Sequence, residues 1–163
     1  MDDIFHKVSL QAKNAREAYP LVRLCHSSVT LDQWLSFARR LARLPRHRGG
    51  LFAVKDKRGY VHAVFSYRID SDMRHGPVLR VSDLIIGRLA GRTIDRVIVK
   101  AAEQLALEIG CFSIVVELPQ SAEGEVDIAN YSVLVNAGFS PCAISFQRPD
   151  PRSRSPLWAA RLR

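Results

Sequence analysis

The stretch Asp83-Leu84-Ile85-Ile86-Gly87-Arg88-Leu89-Ala90-Gly91-Arg92-Thr93 has residue types suited to holding phosphate. An apolar run leads through a glycine-bearing loop into a helix. The first N–H groups of a helix lack intrahelical partners and lie at the positive end of its macrodipole, so they can cradle a pyrophosphate. Gly91 allows close backbone approach, Arg88 and Arg92 bring charge, and Thr93 offers a hydroxyl. A loop with one glycine also occurs where a chain simply turns, so the motif alone admits both readings.

Other chemistry is poorly served. Asp70, Asp72 and His75 share a polar loop, but no metal-ligand spacing recurs elsewhere, so no metal is expected. His6, His26, His47 and His62 show no paired spacing, and Gly-x-Ser-x-Gly, the elbow of serine hydrolases, is absent. Cys25, Cys111 and Cys142 are scattered and odd in number, which argues for a reducing cytoplasm and against a disulfide framework or a zinc site. The acidic start, Met1-Asp2-Asp3, is unlike a signal peptide, and no apolar run is long enough to span a bilayer.

The chain has 163 residues and a formal net charge of +8. Its length suits one domain with its own core. The basic excess gathers at Arg39, Arg40, Arg43, Arg46 and Arg48, and again at Arg148, Arg152, Arg154, Arg161 and Arg163. Such surfaces attract the phosphates of nucleic acid, of an anionic membrane or of a phosphorylated cofactor, or serve only as a solvated face.

The elements that must position the loop follow from periodicity. His6 to Ala12 alternates as a strand. Asn14 with Glu17, or Pro20 itself, starts a helix carrying Ala18, Leu21, Val22 and Cys25. Thr30 and Gln33 form a capping box for an amphipathic helix that Pro45 and Gly49-Gly50 stop; its apolar stripe suits a core better than a membrane. Strands 51–55 and 60–69 flank a turn at Gly59, and the loop from Asp70 to Gly76 leads to a strand over 78–86. Ile94 to Ile109 repeats at helical spacing, Gly110 ends it, and 112–118 is nearly all apolar, as in a buried parallel strand. A last helix over about 127–137 stops at Gly138, and strands over 141–147 and 157–162 close the chain.

This order resembles the GNAT superfamily of acetyl-CoA-dependent N-acetyltransferases over nearly the whole chain, with the sequence-level likeness confined to two motifs. The family's pyrophosphate loop, Arg/Gln-x-x-Gly-x-Gly/Ala, is matched by Arg88 and Gly91, with Thr93 in the last place, and Ser82 to Ile86 looks like its acidic-then-apolar fourth strand. The connection from that strand to Arg88 is shorter than usual. Leu134-Val135-Asn136-Ala137-Gly138-Phe139 is similar to the family's Tyr-x-x-x-Gly-Phe, and Asp127 falls where an Asn commonly starts that helix. The resemblance implies a single α/β domain, a mixed central sheet of about seven strands flanked by about four helices.

It also implies a chemistry. Acetyl-CoA would lie where strand 78–86 splays from strand 112–118. Its pyrophosphate would rest on Arg88, Leu89, Ala90, Gly91, Arg92 and Thr93, with Asp127 nearby and its pantetheine against Leu84, Ile85 and Ile86. Asp83, at the family's acidic position on a half-buried strand where a carboxyl can titrate high, would be the general base toward a primary amine; the alternative is that it faces solvent or pairs with a nearby arginine. Glu117 is the reserve. The family's acid, a tyrosine, is replaced by Leu134; Tyr131, one turn earlier, is either its substitute or a structural residue. Thr93 puts a β-branched side chain at the tightest part of the loop. The acceptor, a small molecule or a protein, is unspecified; a homodimer is common in the family, and neither membrane nor nucleic acid is an expected partner. Two rivals stand beside transfer: a CoA-binding or regulatory module of this fold that has lost turnover, and a basic nucleic-acid-binding protein.

Overall fold

The computed structural model describes residues 5–87, 92–118, 132 and 134–142. Five strands form one sheet: β1 (Phe5–Ser9), β2 (Gly49–Asp56), β3 (Val61–Asp72), β4 (Gly76–Ile86) and β5 (Ser113–Val116). They lie side by side in chain order, antiparallel from β1 to β4, with β5 parallel to β4. A parallel neighbour cannot be reached by a tight turn, and the crossover here is the long helix α3 (Arg92–Ile109). Helices α1 (Tyr19–Cys25) and α2 (Leu31–Ala42) cover the opposite face.

Alternation along β3 divides the core. Ala63, Phe65 and Tyr67 face α3 with Val54, Leu79, Val81, Ala102 and Leu105, whereas Val64 packs with Leu51, Leu21, Val22 and Trp34 beneath α1 and α2. Of the apolar positions expected of α3, Ile98, Ala101, Ala102, Leu105 and Ala106 are buried and Val97 and Ile109 partly so. Gly110, at φ +83, ends it by returning its N–H to Ala106 O at 2.9 Å. Helix α2 begins with the expected capping box, Thr30 Oγ1 accepting from Gln33 N and Gln33 Oε1 from Thr30 N. Both proposed starts before it hold in part. Ala15–Ala18 forms a 3-10 turn after Asn14, and α1 then begins with Pro20 in its first turn.

Several expectations need correcting. The sheet has five strands among the described residues rather than about seven; the two further strands were placed over 141–147 and 157–162, and residues 143–163 lie outside the described ones. The loop from Asp70 to Gly76 is mostly strand, because β3 and β4 pair as far as Asp72 and Gly76 and only Met73 to His75 turn. Strand β5 is parallel as expected but half-buried throughout, its apolar run covered less completely than a central strand's would be. Of the last helix, residues 134–136 are helical, and Phe139 N returns to Leu134 O at 3.0 Å past Gly138 at φ +89.

One side chain works against the fold. Lys7 turns toward α3 with its Nζ buried, without a hydrogen-bond partner among the described residues, 5.8 Å from the centre of the Phe52 ring. A ring face compensates a desolvated ammonium only in part. Lys7→Met keeps the apolar stem and removes the charge, and is expected to stabilise by about 1 kcal/mol, raising Tm by roughly 2–4 °C. A thermal melt showing a lower Tm would reveal that the ammonium is worth keeping.

Candidate functional site

The site is built on an irregularity in β4. The register pairs Val64 with Ile85 but Ser66 with Ser82, so Asp83 and Leu84 together oppose Phe65. This is a β-bulge, and Asp83 takes it up at φ 50, a left-handed conformation that Asp tolerates better than most residues. The bulge breaks the alternation of faces. Val81, Leu84 and Ile86 point to the α3 side, while Asp83 and Ile85 turn to the α1–α2 side.

Ser66 holds the bulge from beneath. It is buried, and its Oγ donates to Asp83 Oδ2 at 2.5 Å and lies 3.0 Å from Ser82 Oγ. A hydroxyl has one proton, so the carboxylate takes it and Ser82 can donate in turn. Asp83 itself is exposed, the solvent-facing alternative, although the strand around it is half-buried. It looks into a cleft of about 600 Å³ whose walls include His26, Trp34, Phe37, Leu51 and Val64. Trp34 is fixed there by donating Nε1–H to Ala15 O at 2.7 Å.

On the other side of β4 the sheet divides. Backbone pairing with β5 runs from Val78–Ser113 to Val81–Val116, closing with Glu117 N to Val81 O at 2.8 Å. Beyond that point β4 continues to Ile86 along β3 alone, leaving its β5-side edge unpaired among the described residues. The gap between the strands is lined by Val81, Leu84, Ile86, Leu118, Leu134 and Phe139, among others, and encloses about 20 Å³. Leu134 thus lines the opening where the resemblance places a tyrosine, and the side chains lining the gap are all apolar among the described residues.

The other expected site residues divide clearly. Leu84 and Ile86 line the gap between β4 and β5, whereas Ile85 lines the Asp83 cleft on the opposite face. Arg92 and Thr93 belong to the first turn of α3, so the helix starts earlier than Ile94. Arg88, Leu89, Ala90, Gly91, Asp127 and Tyr131 lie outside the described residues. Glu117 is held by Arg80 Nη1 at 2.9 Å, and Arg80 is held by Asp70 as well; first the Asp70 bond and then Glu117 push that guanidinium above its ordinary pKa. A carboxylate so engaged is poorly placed as a base. Asp72 and His75 bond each other and the turn backbone, with Asp72 held below the usual carboxylate range chiefly by the N–H groups of Arg74 and His75. No cluster of metal-ligating side chains occurs among the described residues. Sequence reasoning missed Ser66, whose one signal is a lone hydroxyl inside the apolar run 61–69.

No protein-family model and no curated protein sequence matches the chain. Solved structures do match its shape. Glucosamine-6-phosphate N-acetyltransferase from Arabidopsis thaliana superposes with TM-score 0.65 at 16% identity, over 88% of this chain and 97% of that one. The aminoglycoside N-acetyltransferase AAC(6')-Iy, bound to a CoA bisubstrate analogue, gives 0.72 at 13%, over 90% and 98%. Ribosomal-protein-alanine N-acetyltransferase from Brucella melitensis gives 0.69 at 12%, over 90% and 99%. A mixed sheet that divides beside a bulge, with helices on both faces, is an α/β architecture. The particular architecture is the GNAT N-acetyltransferase fold, in a divergent sequence.

Proposed function

We propose that the protein is a divergent GNAT enzyme, one domain that transfers an acetyl group from acetyl-CoA to a primary amine. The observation that carries this is the parting of β4 from β5 beside the Asp83 bulge, which opens both faces of the sheet at one point. A protein of the same fold binds a CoA bisubstrate analogue, which supports the cofactor. The pantetheine arm would take the free N–H and C=O groups on the β5-side edge of Leu84 to Ile86, with Leu134 and Phe139 moving outward to admit it. Arg88 to Thr93 would take the pyrophosphate, with Asp127 beside it. The amine would enter the Asp83 cleft. Its nitrogen attacks the thioester carbon, its proton passes to the Asp83 carboxylate, and the C–S bond breaks to release the CoA thiolate. Tyr131 is the proposed donor to that thiolate.

A saturating ligand at a hundred times its Kd stabilises by about 2.7 kcal/mol. Acetyl-CoA is therefore expected to raise Tm by roughly 5–10 °C. Gly91→Glu, which sets a carboxylate beside the pyrophosphate, abolishes the shift. No shift at millimolar acetyl-CoA overturns the proposal.

A second reading, a CoA-binding module without turnover, is favoured by one observation: among the described residues, Leu134 and its apolar neighbours offer the leaving thiolate no proton. The two separate on release of free CoA thiol when amines are supplied. For the enzyme in a Tyr131→Phe background, Leu134→Tyr is expected to raise kcat at least about tenfold with the KM for acetyl-CoA little changed, general acids contributing about 10²-fold or more. An unchanged kcat would show that thiolate protonation is not limiting.

A further inference from the structure

The acceptor cleft does not end at Phe37. That ring is also a wall of a second cleft of about 320 Å³, which runs between the C-terminal half of α2 and the far end of β3. Its rim carries Arg40, Arg48 and Arg68, all exposed, and its floor is apolar, with Leu41 and Ile69. None of the three guanidiniums makes an ion pair or side-chain hydrogen bond among the described residues. The one acid on the rim, Asp70, is already held by Arg80 Nε at 2.7 Å. Three unsatisfied cations around an apolar floor form a binding surface for an anion, since guanidinium matches carboxylate and phosphate geometry with paired N–H donors.

Placement ties this cleft to the first. Ser66, which holds Asp83, and Arg68 are two residues apart on β3, hence on the same face and about 7 Å apart along the strand. Arg68 pairs with Gly49, a buried glycine against which Leu44 and Tyr67 O pack too closely to admit a side chain, and Ile69 N bonds Arg48 O at 3.1 Å, bringing Arg48 to the same end. The two clefts therefore lie on one face and share Phe37 as a wall, with Asp83 on the first and three arginines on the second.

We infer that Arg40, Arg48 and Arg68 form an anion subsite that anchors the acceptor: a molecule with a primary amine at one end and a phosphate or carboxylate at the other, joined by a segment that packs on Phe37. This rests on the Asp83 cleft receiving the amine, as proposed above. The opposed charges would orient such a molecule with its amine toward Asp83 and disfavour purely cationic polyamines.

Two measurements test it. Inorganic phosphate, compared with chloride at equal ionic strength, should raise Tm by several degrees, and Arg68→Gln and Arg40→Gln should each remove most of that gain. With acetyl-CoA, three amines of equal chain length should be compared: an alkylamine, an ω-amino carboxylate and an ω-aminoalkyl phosphate. At least one anionic amine should exceed the alkylamine at least tenfold in kcat/KM, the better of the two naming the anion, and Arg68→Gln should collapse that ratio toward one. Equal kcat/KM for all three amines, or phosphate protection that survives Arg68→Gln, overturns the subsite. Arg68-dependent phosphate protection with no transfer to any amine would instead overturn the transferase reading while supporting the anion site, so the two failures are distinguishable.

Discussion

Asp83→Asn is expected to lower kcat for acetyl transfer by about 10²-fold or more while leaving the acetyl-CoA thermal shift intact. The substitution isolates the proton from everything else Asp83 does. Asparagine tolerates the left-handed backbone as aspartate does, so the bulge at φ 50 is kept. Its amide oxygen can still accept from Ser66 Oγ, so the anchor beneath the bulge is also kept. What disappears is a group able to take the amine proton. Asp83→Ala would confound this by straining the backbone and freeing Ser66 at once. Ser66→Ala is the complementary variant: it leaves the carboxylate but unfastens it, and should cost less than Asp83→Asn in kcat. Stopped assays following free CoA thiol across pH give the answer, and full activity in Asp83→Asn removes it as the base.

Much of the architecture was legible because periodicity and punctuation agree there. The capping box at Thr30 and Gln33, the apolar steps of α3 and the glycine at its end each carry their own local signal, and the structure follows them. Pairing is less legible. Nothing in Asp70, Ser71 and Asp72 favours a strand; they extend only because β4 lies alongside, a long-range effect that local sequence does not encode. The bulge is similarly hidden. Ser82-Asp83-Leu84-Ile85-Ile86 reads as continuous strand, and only the register against Val64 and Ser66 shows that one residue too many is present. That is why the sequence leaves open whether Asp83 faces solvent, and only the resemblance singles it out as a candidate base. The arginines show the same limit from the other direction. Their number was plain, but gathering Arg40, Arg48 and Arg68 at one cleft requires α2, the approach to β2 and the end of β3 to be brought together.

Phe65→Ala is expected to be the most damaging core substitution, costing about 3–5 kcal/mol. Phe65 has no exposed surface, packs against Phe52 with ring centroids 5.6 Å apart, and is the residue that the bulge of Asp83 and Leu84 straddles. Deleting its ring leaves a cavity that neither neighbour can fill, because β2 and β4 hold it on both sides through their backbone ladders. For a domain whose whole stability is about 5–15 kcal/mol, the loss takes Tm down by roughly 10 °C. In urea the midpoint should fall with m unchanged, the mark of lost stability without a changed unfolded state. The position also supports the site, so activity offers a second readout. Phe65→Leu fills most of the volume but not the shape, and at a temperature where it stays folded its kcat should fall more than its KM for acetyl-CoA changes. A bulge held mainly by Ser66 would leave that kcat unaltered; a bulge that also leans on Phe65 would not.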